Sequence, residues 1–258
     1  MLNPQTVLIT GATGAIGGAL ARAYAAPGRT LVLHGRNSER LQAIARACEG
    51  LGARVESRAF DVRDSVVLTA WLEDVASRLG VDLVIVNAGV INVLRPGEAR
   101  EDREDAERVM DVNVGAALAT VSALLPHMRK RGSGQIALVS SLLAWFGMPI
   151  APAYSASKAA LKSWGEALRG SLARAGIRVS VVLPGFVKSD MSDELRIPKP
   201  FMITAEDAAR RIVRGLERNE ARISFPFPLN LGCWFLSTLP PVLAQGILAL
   251  LGFHNRQN

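Results

Sequence analysis

The chain has little cysteine. Cys48 and Cys233 stand far apart in 258 residues, with no Cys-x-x-Cys pair and no Cys/His cluster. Zinc sites and disulfide scaffolds need such spacings, so both are excluded, and two isolated thiols fit a reducing, cytoplasmic compartment. His34, His127 and His254 are dispersed without plausible metal partners, so no metal site is assigned. Aromatics make up only 5%, yet hydrophobic residues reach 49% and charged residues 21%, which excludes a disordered or collagen-like chain. Lysine is scarce: 5 Lys against 25 Arg carry a net charge of +7, scattered rather than clustered. This excess reads either as a solvated surface or as attraction toward an anionic cofactor or acidic lipid. No nucleic-acid-binding motif accompanies it, so nucleic acid is not an expected partner.

Charge of either sign is missing from one region. Between positions 223 and 255 there is no Lys, Arg, Asp or Glu. Two apolar runs, 229–239 and 242–253, are split there by Pro240-Pro241. Each is shorter than the roughly 20 residues of a bilayer-spanning helix. Two fates stay open for this tail: packing on the body or a second subunit, or peripheral contact with a membrane interface. At the other end, Met1-Leu2-Asn3-Pro4-Gln5 has no basic segment or cleavage site, so no signal peptide is expected.

Apolar runs alternate with amphipathic stretches. Strands are expected at 6–10, 30–34, 54–60, 82–87, 135–140, 178–183 and 221–225. Helices are expected at 15–26, 38–51 (Ser38 as N-cap), 64–79, 102–131, 153–175 and 204–219, the last opened by a Thr204/Asp207 capping box. Continuous Val/Ile/Leu strands separated by helices indicate a parallel sheet covered on both faces. The expected fold is α/β: a Rossmann-type doubly wound parallel sheet of about seven strands, with an apolar C-terminal helical tail. Residues 1–225 read as one domain for dinucleotide binding and catalysis, and 226–258 as an extension rather than an independent domain.

Thr10-Gly11-Ala12-Thr13-Gly14-Ala15-Ile16-Gly17 joins the first strand to the first helix. A pyrophosphate needs backbone N–H groups at a helix N-terminus with no Cβ in the way. Gly11 would permit the tight turn, Gly14 the approach of the phosphates, and Gly17 the close packing of the helix. Cofactor choice is read at the end of the second strand, His34-Gly35-Arg36-Asn37. It lacks the carboxylate that binds an NAD ribose, and Arg36 suits a 2′-phosphate, so NADP(H) is expected over NAD(H). Farther on, Tyr154 and Lys158 share a face of one helix, thirteen residues after Ser141. A lysine cation beside a phenol lowers its pKa and makes it a usable general acid and base.

In these residues the sequence resembles the short-chain dehydrogenase/reductase family, in its branch of roughly 250 residues. The matches run in order: Thr10-Gly11 to Gly17, Asp61-Val62, Asn87-Ala88-Gly89, Asn113, Ser141, Tyr154-x-x-x-Lys158 and Pro184-Gly185-Phe186-Val187. The resemblance implies that Tyr154 exchanges a proton with the substrate oxygen and that Ser141 orients that oxygen. Lys158 would tune Tyr154 and hold the nicotinamide ribose, and Asn113 would hold a water linking Lys158 to solvent. Thr13, Ile16 and the glycines would meet the cofactor phosphates. Asp61 and Val62 would meet the adenine, Asn87, Ala88 and Gly89 the adenosine, and Pro184, Gly185, Val187 and Ser189 the nicotinamide. A homodimer or homotetramer is implied in the same way.

The sequence departs from the family pattern at three points. Ala15 replaces a common glycine; the Gly11/Gly14/Gly17 spacing resembles the longer, sugar-nucleotide-modifying branch; and Val86 replaces an asparagine. The short chain and the Pro184-Gly185 run favour the oxidoreductase branch. An epimerase or dehydratase and a non-enzymatic dinucleotide sensor remain the alternatives, and Ser140 the alternative to Ser141. Expected pocket positions are Leu142, Leu143, Trp145, Phe146, Met148, Ile150, Phe186, Met191 and Phe201. They predict a small apolar ketone, aldehyde or alcohol as substrate. The loop 192–203, with Pro198 and Pro200, is placed to close over it.

Overall fold

Strand β1 (Thr6–Thr10) shows how this sequence builds a two-sided core. Its side chains alternate across the pleat: Val7 and Ile9 enter one buried cluster and Leu8 the other. The same holds in β2 (Thr30–Gly35), β4 (Leu83–Val86), β5 (Gly134–Val139) and β6 (Ile177–Pro184), and the edge strands β3 (Arg54–Ala59) and β7 (Arg222–Phe225) complete a sheet of seven parallel strands. Their order is β3-β2-β1-β4-β5-β6-β7. The computed structural model describes residues 4–94, 98, 100–193, 195 and 197–253. His254, the end of the tail, and Glu194 and Arg196 of the 192–203 loop lie outside them.

One face of the sheet is covered by α1 (Ala15–Tyr24), α2 (Ser38–Glu49) and α8 (Ala205–Glu217), through Leu20, Leu41 and Ile212. The other is covered by α3 (Ser65–Leu79), α5 (Ala116–Arg131) and α6 (Pro152–Leu172), through Leu72, Leu124 and Leu161. Fully burying each such leucine contributes about 1.5–3 kcal/mol. Strand order reverses between β1 and β4, so the crevice at their carboxyl ends is where a ligand fits such a sheet.

Local differences from the sequence reading have simple causes. Helix α1 stops at Tyr24 because Pro27 disfavours helix at Ala26. Asn37, not Ser38, caps α2, its Oδ1 accepting the Arg40 N–H at 2.8 Å. Thr204 caps α8 as expected, but its hydroxyl also donates to the Asp207 carboxylate, reversing one half of the box.

The expected helix 102–131 is three pieces: α4 (Arg103–Met110), a π-helical turn at Asp111–Gly115, and α5. The wider turn swings Val112 and Asn113 inward. By length and composition this run suffices to cross a membrane, but half of its most apolar window is buried in the fold.

Beyond the short α7 (Asp190–Asp193), the tail forms α9 (Leu229–Thr238) and α10 (Pro241–Leu250). It packs on the body. Cys233 is buried with Leu142, Val181 and Leu183, Leu248 and Phe253 join Met148 and Ile150, and the Gln245 side chain donates to the Gly147 carbonyl at 2.9 Å.

Candidate active site

At the end of β1 the chain turns through Gly11, whose φ of +67° lies in the left-handed region. A Cβ there would stand 2.7 Å from the Ala88 Cα. Gly17 is closer still to its neighbours: its Cβ would lie 2.3 Å from the Gly11 carbonyl oxygen and 2.8 Å from Asn87 Nδ2. Gly17 therefore seats α1 on its own turn and does not line the cavity. Gly14 borders open space, since its Cβ would meet nothing nearer than 3.4 Å. It precedes the first, unpaired N–H groups of α1, where the helix dipole favours an anion. Asn87 ties this turn to β4 by donating to the Gly11 carbonyl at 3.0 Å. Thr10 Oγ1 accepts from the Asn87 and Ala88 N–H groups at 3.1 and 3.2 Å, a role the sequence reading did not assign.

A cavity of about 1010 Å³ starts at this turn. Thr13, Gly14, Ile16, Arg36 and Val62 line one end; Asn87, Ala88 and Gly89 follow; Ser141, Tyr154, Lys158, Pro184, Gly185, Val187 and Ser189 lie farther along. Arg36 is exposed at the rim. Two residues missed from the sequence join it. His34 lines the same end with Nε2 held 3.0 Å from the Phe60 carbonyl, and Arg40 reaches across to Asp190 at 2.7 Å. The Asp61 carboxylate is turned to Arg63, whose guanidinium hydrogen bonds hold it below the usual carboxylate range. At that position Val62, rather than the Asp61 side chain, borders the cavity.

The reactive groups converge where β5 ends against α6. Ser141 caps a 3-10 turn at Leu142–Ala144, its hydroxyl accepting the Leu143 N–H at 3.1 Å, and the half-buried Tyr154 lines the same cavity. Ser140 points elsewhere: its hydroxyl donates to the Lys158 carbonyl at 2.6 Å and anchors α6. The buried Lys158 Nζ donates to the Val139 carbonyl at 3.0 Å and lies 5.5 Å from the centre of the Tyr154 ring. Asn113 Nδ2 donates to Ser157 Oγ at 2.9 Å, and that hydroxyl donates to the Tyr154 carbonyl at 2.7 Å. Ser157 thus links Asn113 to the Tyr154 helix, which no sequence signal singled out.

The electrostatics differ from the sequence expectation. Burial pushes the Tyr154 phenol up to about 12, against a smaller lowering by the nearby Ser141 hydroxyl. Burial also brings Lys158 down to about 8. Desolvation of the phenolate therefore outweighs the lowering expected from the neighbouring cation.

On the substrate side, Leu142, Leu143, Phe146, Met148, Phe186 and Met191 line the cavity as expected, and Trp145, Ile150 and Phe201 do not. Trp145 instead lies under Lys162 and Arg222, Ile150 joins a buried cluster, and Phe201 is on the surface. The remaining wall comes from the tail: Leu229, Cys233, Phe235, Leu236, Ile247, Leu248, Leu251 and Phe253. Ser189 and Ser192 exchange hydrogen bonds that fix α7, and the Lys188 and Ile203 N–H groups close the base of the loop on Ile203 and Phe186 carbonyls. Among the described residues, no group of three metal-ligating side chains comes together.

The comparisons agree with this geometry. The family profile described as short chain dehydrogenase matches residues 5–199. An uncharacterized oxidoreductase from Myxococcus xanthus is 37% identical over 246 residues, covering 93% of this chain and 94% of that protein. The ketoacyl reductase HetN from Nostoc is 31% identical over 227 residues, covering 86% and 78%. Among solved structures, a short-chain dehydrogenase from Sphingobium yanoikuyae in complex with NADPH superposes with a TM-score of 0.80 at 26% identity, covering 95% of both chains. The chain belongs to the short-chain dehydrogenase family of NAD(P)-dependent oxidoreductases.

Proposed function

We propose that this protein reduces a hydrophobic ketone or aldehyde to its alcohol with NADPH, and runs the reverse oxidation with NADP⁺, NAD(H) being the weaker alternative. The observation that carries the reading is the Ser141–Tyr154–Lys158 cluster, set in one cavity with a glycine turn at a helix N-terminus. The residues fit a dinucleotide: Gly14 leaves room at the N-terminus of α1, and Arg36 and Arg40 offer cations where a 2′-phosphate would lie. The NADPH held by the Sphingobium relative supports the same choice. Bound there, the nicotinamide supplies or accepts the hydride.

The chain's own residues manage the oxygen. Ser141 donates a hydrogen bond to the carbonyl oxygen and orients it. Tyr154 gives that oxygen its proton in reduction and takes it back in oxidation. A phenol held near 12 is fully protonated at neutral pH, the form that reduction needs. Lys158 holds the nicotinamide ribose and favours the phenolate left after proton transfer. Asn113 fixes α6 through Ser157 and with it Tyr154. Val62 flanks the adenine, with the Asp61 side chain held aside by Arg63, and Pro184 to Ser189 flank the nicotinamide. Residues 1–225 are the catalytic domain and 226–258 its extension, of which the stretch from Leu229 to Phe253 walls the substrate end. The enzyme is cytoplasmic and assembles as a homodimer or homotetramer.

The substrate half of the cavity is lined by leucine, phenylalanine and methionine, so apolar carbonyl compounds bind best. Loss of NADPH absorbance over a panel of hydrophobic and charged carbonyls tests the reading. Wild type should turn over the hydrophobic members, and Tyr154→Phe should lose roughly 10²–10⁴-fold in kcat while still binding NADPH. Turnover of small charged keto acids alone would overturn the substrate class.

A further inference from the structure

The two tail helices carry apolar residues on both sides. Toward the body, Cys233, Leu236 and Leu248 wall the substrate end of the cavity. Away from it, Leu231, Trp234, Val242, Leu243 and Leu250 are bare, Val242 at 83% and Leu250 at 90% exposure. Single exposed apolar side chains are ordinary, but here they gather on two successive helices in a stretch without a charge from 223 to 255.

Phe235 and Leu251 belong to both sides. They line the cavity, yet are 54% and 56% exposed. The rim of the cavity therefore reaches the bare face, beside α9 and the end of α10. Whatever covers this face must leave that mouth passable to an apolar molecule. A second copy of the chain seated on it would plug the mouth, whereas a lipid leaflet would cover the face and also deliver the ligand. Charge is complementary to an anionic leaflet: the chain is +7 overall, and the tail offers no carboxylate for the headgroups to repel. Each helix has 10 residues, about 15 Å of length, so neither spans the roughly 30 Å hydrocarbon core. They suit the interface, with the Trp234 indole at headgroup depth.

We propose that α9 and α10 seat on an anionic lipid leaflet and that the cavity takes its substrate from it. The substrate is a single-chain amphiphile. Its carbonyl reaches Ser141 and Tyr154 while its chain lies along the tail helices. The substrate half of this proposal, and the choice of a leaflet over a second copy, rest on the carbonyl-reductase reading of the site; flotation itself is read without it.

The test uses the full-length protein with saturating NADPH. It is floated with vesicles of phosphatidylcholine and phosphatidylglycerol. Turnover is then compared for a long-chain fatty aldehyde held in those vesicles and a short water-soluble aldehyde. The double variant V242D/L250D changes two side chains outside the cavity lining, so NADPH binding and turnover of the soluble aldehyde should stay at wild-type levels, which also shows that it folds. Wild type should float and V242D/L250D should not, and kcat/KM for the vesicle-borne aldehyde should fall about tenfold or more. The membrane seat is overturned if wild type fails to float or if the variant floats equally well. It is equally overturned if V242D/L250D breaks apart a lipid-free assembly of the wild type, which would give the face to a second copy. Flotation is read without turnover. A protein that floats but reduces neither aldehyde defeats the carbonyl-reductase reading and the substrate half, while one that reduces the soluble aldehyde without floating defeats the membrane seat alone.

Discussion

Asn113 holds the backbone of Val90 from both sides: its Oδ1 accepts the Val90 N–H at 2.8 Å and its Nδ2 donates to the Val90 carbonyl at 3.0 Å. The remaining Nδ2 proton goes to Ser157. One buried amide therefore fixes the chain leaving β4, which borders the cavity, and α6, which carries Tyr154 and Lys158. Asn113→Ala would leave two backbone groups of Val90 without these partners, and we expect a loss of about 2–3 kcal/mol in urea unfolding. Asn113→Asp keeps the acceptor for the Val90 N–H but sets a buried carboxylate oxygen against the Val90 carbonyl and Ser157, so it should cost at least as much as Asn113→Ala. If Asn113 also positions Tyr154, kcat should fall in both variants beyond what partial unfolding explains.

Arg36 makes a prediction about selectivity. It is exposed at the cavity rim, and Asp190, a carboxylate that also lines the cavity, is taken up by Arg40. Arg36→Asp should raise KM for NADPH by about 10- to 100-fold, the equivalent of one charge-assisted hydrogen bond, and lower KM for NADH. Steady-state kinetics with both cofactors decides it. An unchanged KM ratio would pass the role to Arg40, which already sits within reach but pairs with Asp190.

How much of this was legible in the sequence depends on the range of the forces involved. The central strands were readable because continuous Val/Ile/Leu runs have few alternatives to a doubly covered parallel sheet, and the edge strands β3 and β7 followed from their place in the alternation. The glycine turn and the Ser141, Tyr154, Lys158 set were readable because their chemistry fixes their spacing. The π-helical turn at Asp111–Gly115 was not, since a single widened turn keeps the helical composition and leaves no periodic signature. The half of the substrate wall supplied by Phe235, Leu248 and Phe253 was hidden for another reason: it depends on where the tail folds back, a tertiary outcome. The missing charge between 223 and 255 was its only local signal.

Two glycines of similar appearance in the sequence should respond oppositely to alanine. At Gly17 a methyl group would press on the Gly11 carbonyl oxygen at 2.3 Å and the Ala12 Cα at 2.9 Å, both backbone atoms. Gly17→Ala should cost about 1–3 kcal/mol and weaken NADPH binding by distorting the turn. Gly170 is exposed within α6, and a methyl there would meet nothing within 4 Å. Gly170→Ala should stabilise by about 0.5–1 kcal/mol through helix propensity alone. Thermal melts of both variants, with and without NADPH, check the pair.

Lys158 gives the protein a pH dependence whose sign can be worked out. Burial lowers its pKa from 10.5 to about 8 in the folded chain. Below about pH 8 the lysine is charged in both states, and keeping that charge buried costs stability. Between about 8 and 10.5 the unfolded chain binds a proton that the folded chain has released, so stability rises with pH, by at most about 1.4 kcal/mol per unit. Tyr154 acts in the opposite direction, but only above its ordinary value of 10, since its folded pKa is raised. Between about pH 8 and 10 the buried Cys48 and Cys233 thiols, raised by burial from their ordinary value of 9, also act against the lysine, so urea unfolding of the cofactor-free protein reads the lysine as a difference from a variant that lacks it. Wild type should gain stability across that window relative to Lys158→Met, whose apolar side chain has no proton to release. Parallel slopes for the two proteins would show that Lys158 keeps its charge in the fold, and the 3.0 Å bond to the Val139 carbonyl would then outweigh its desolvation.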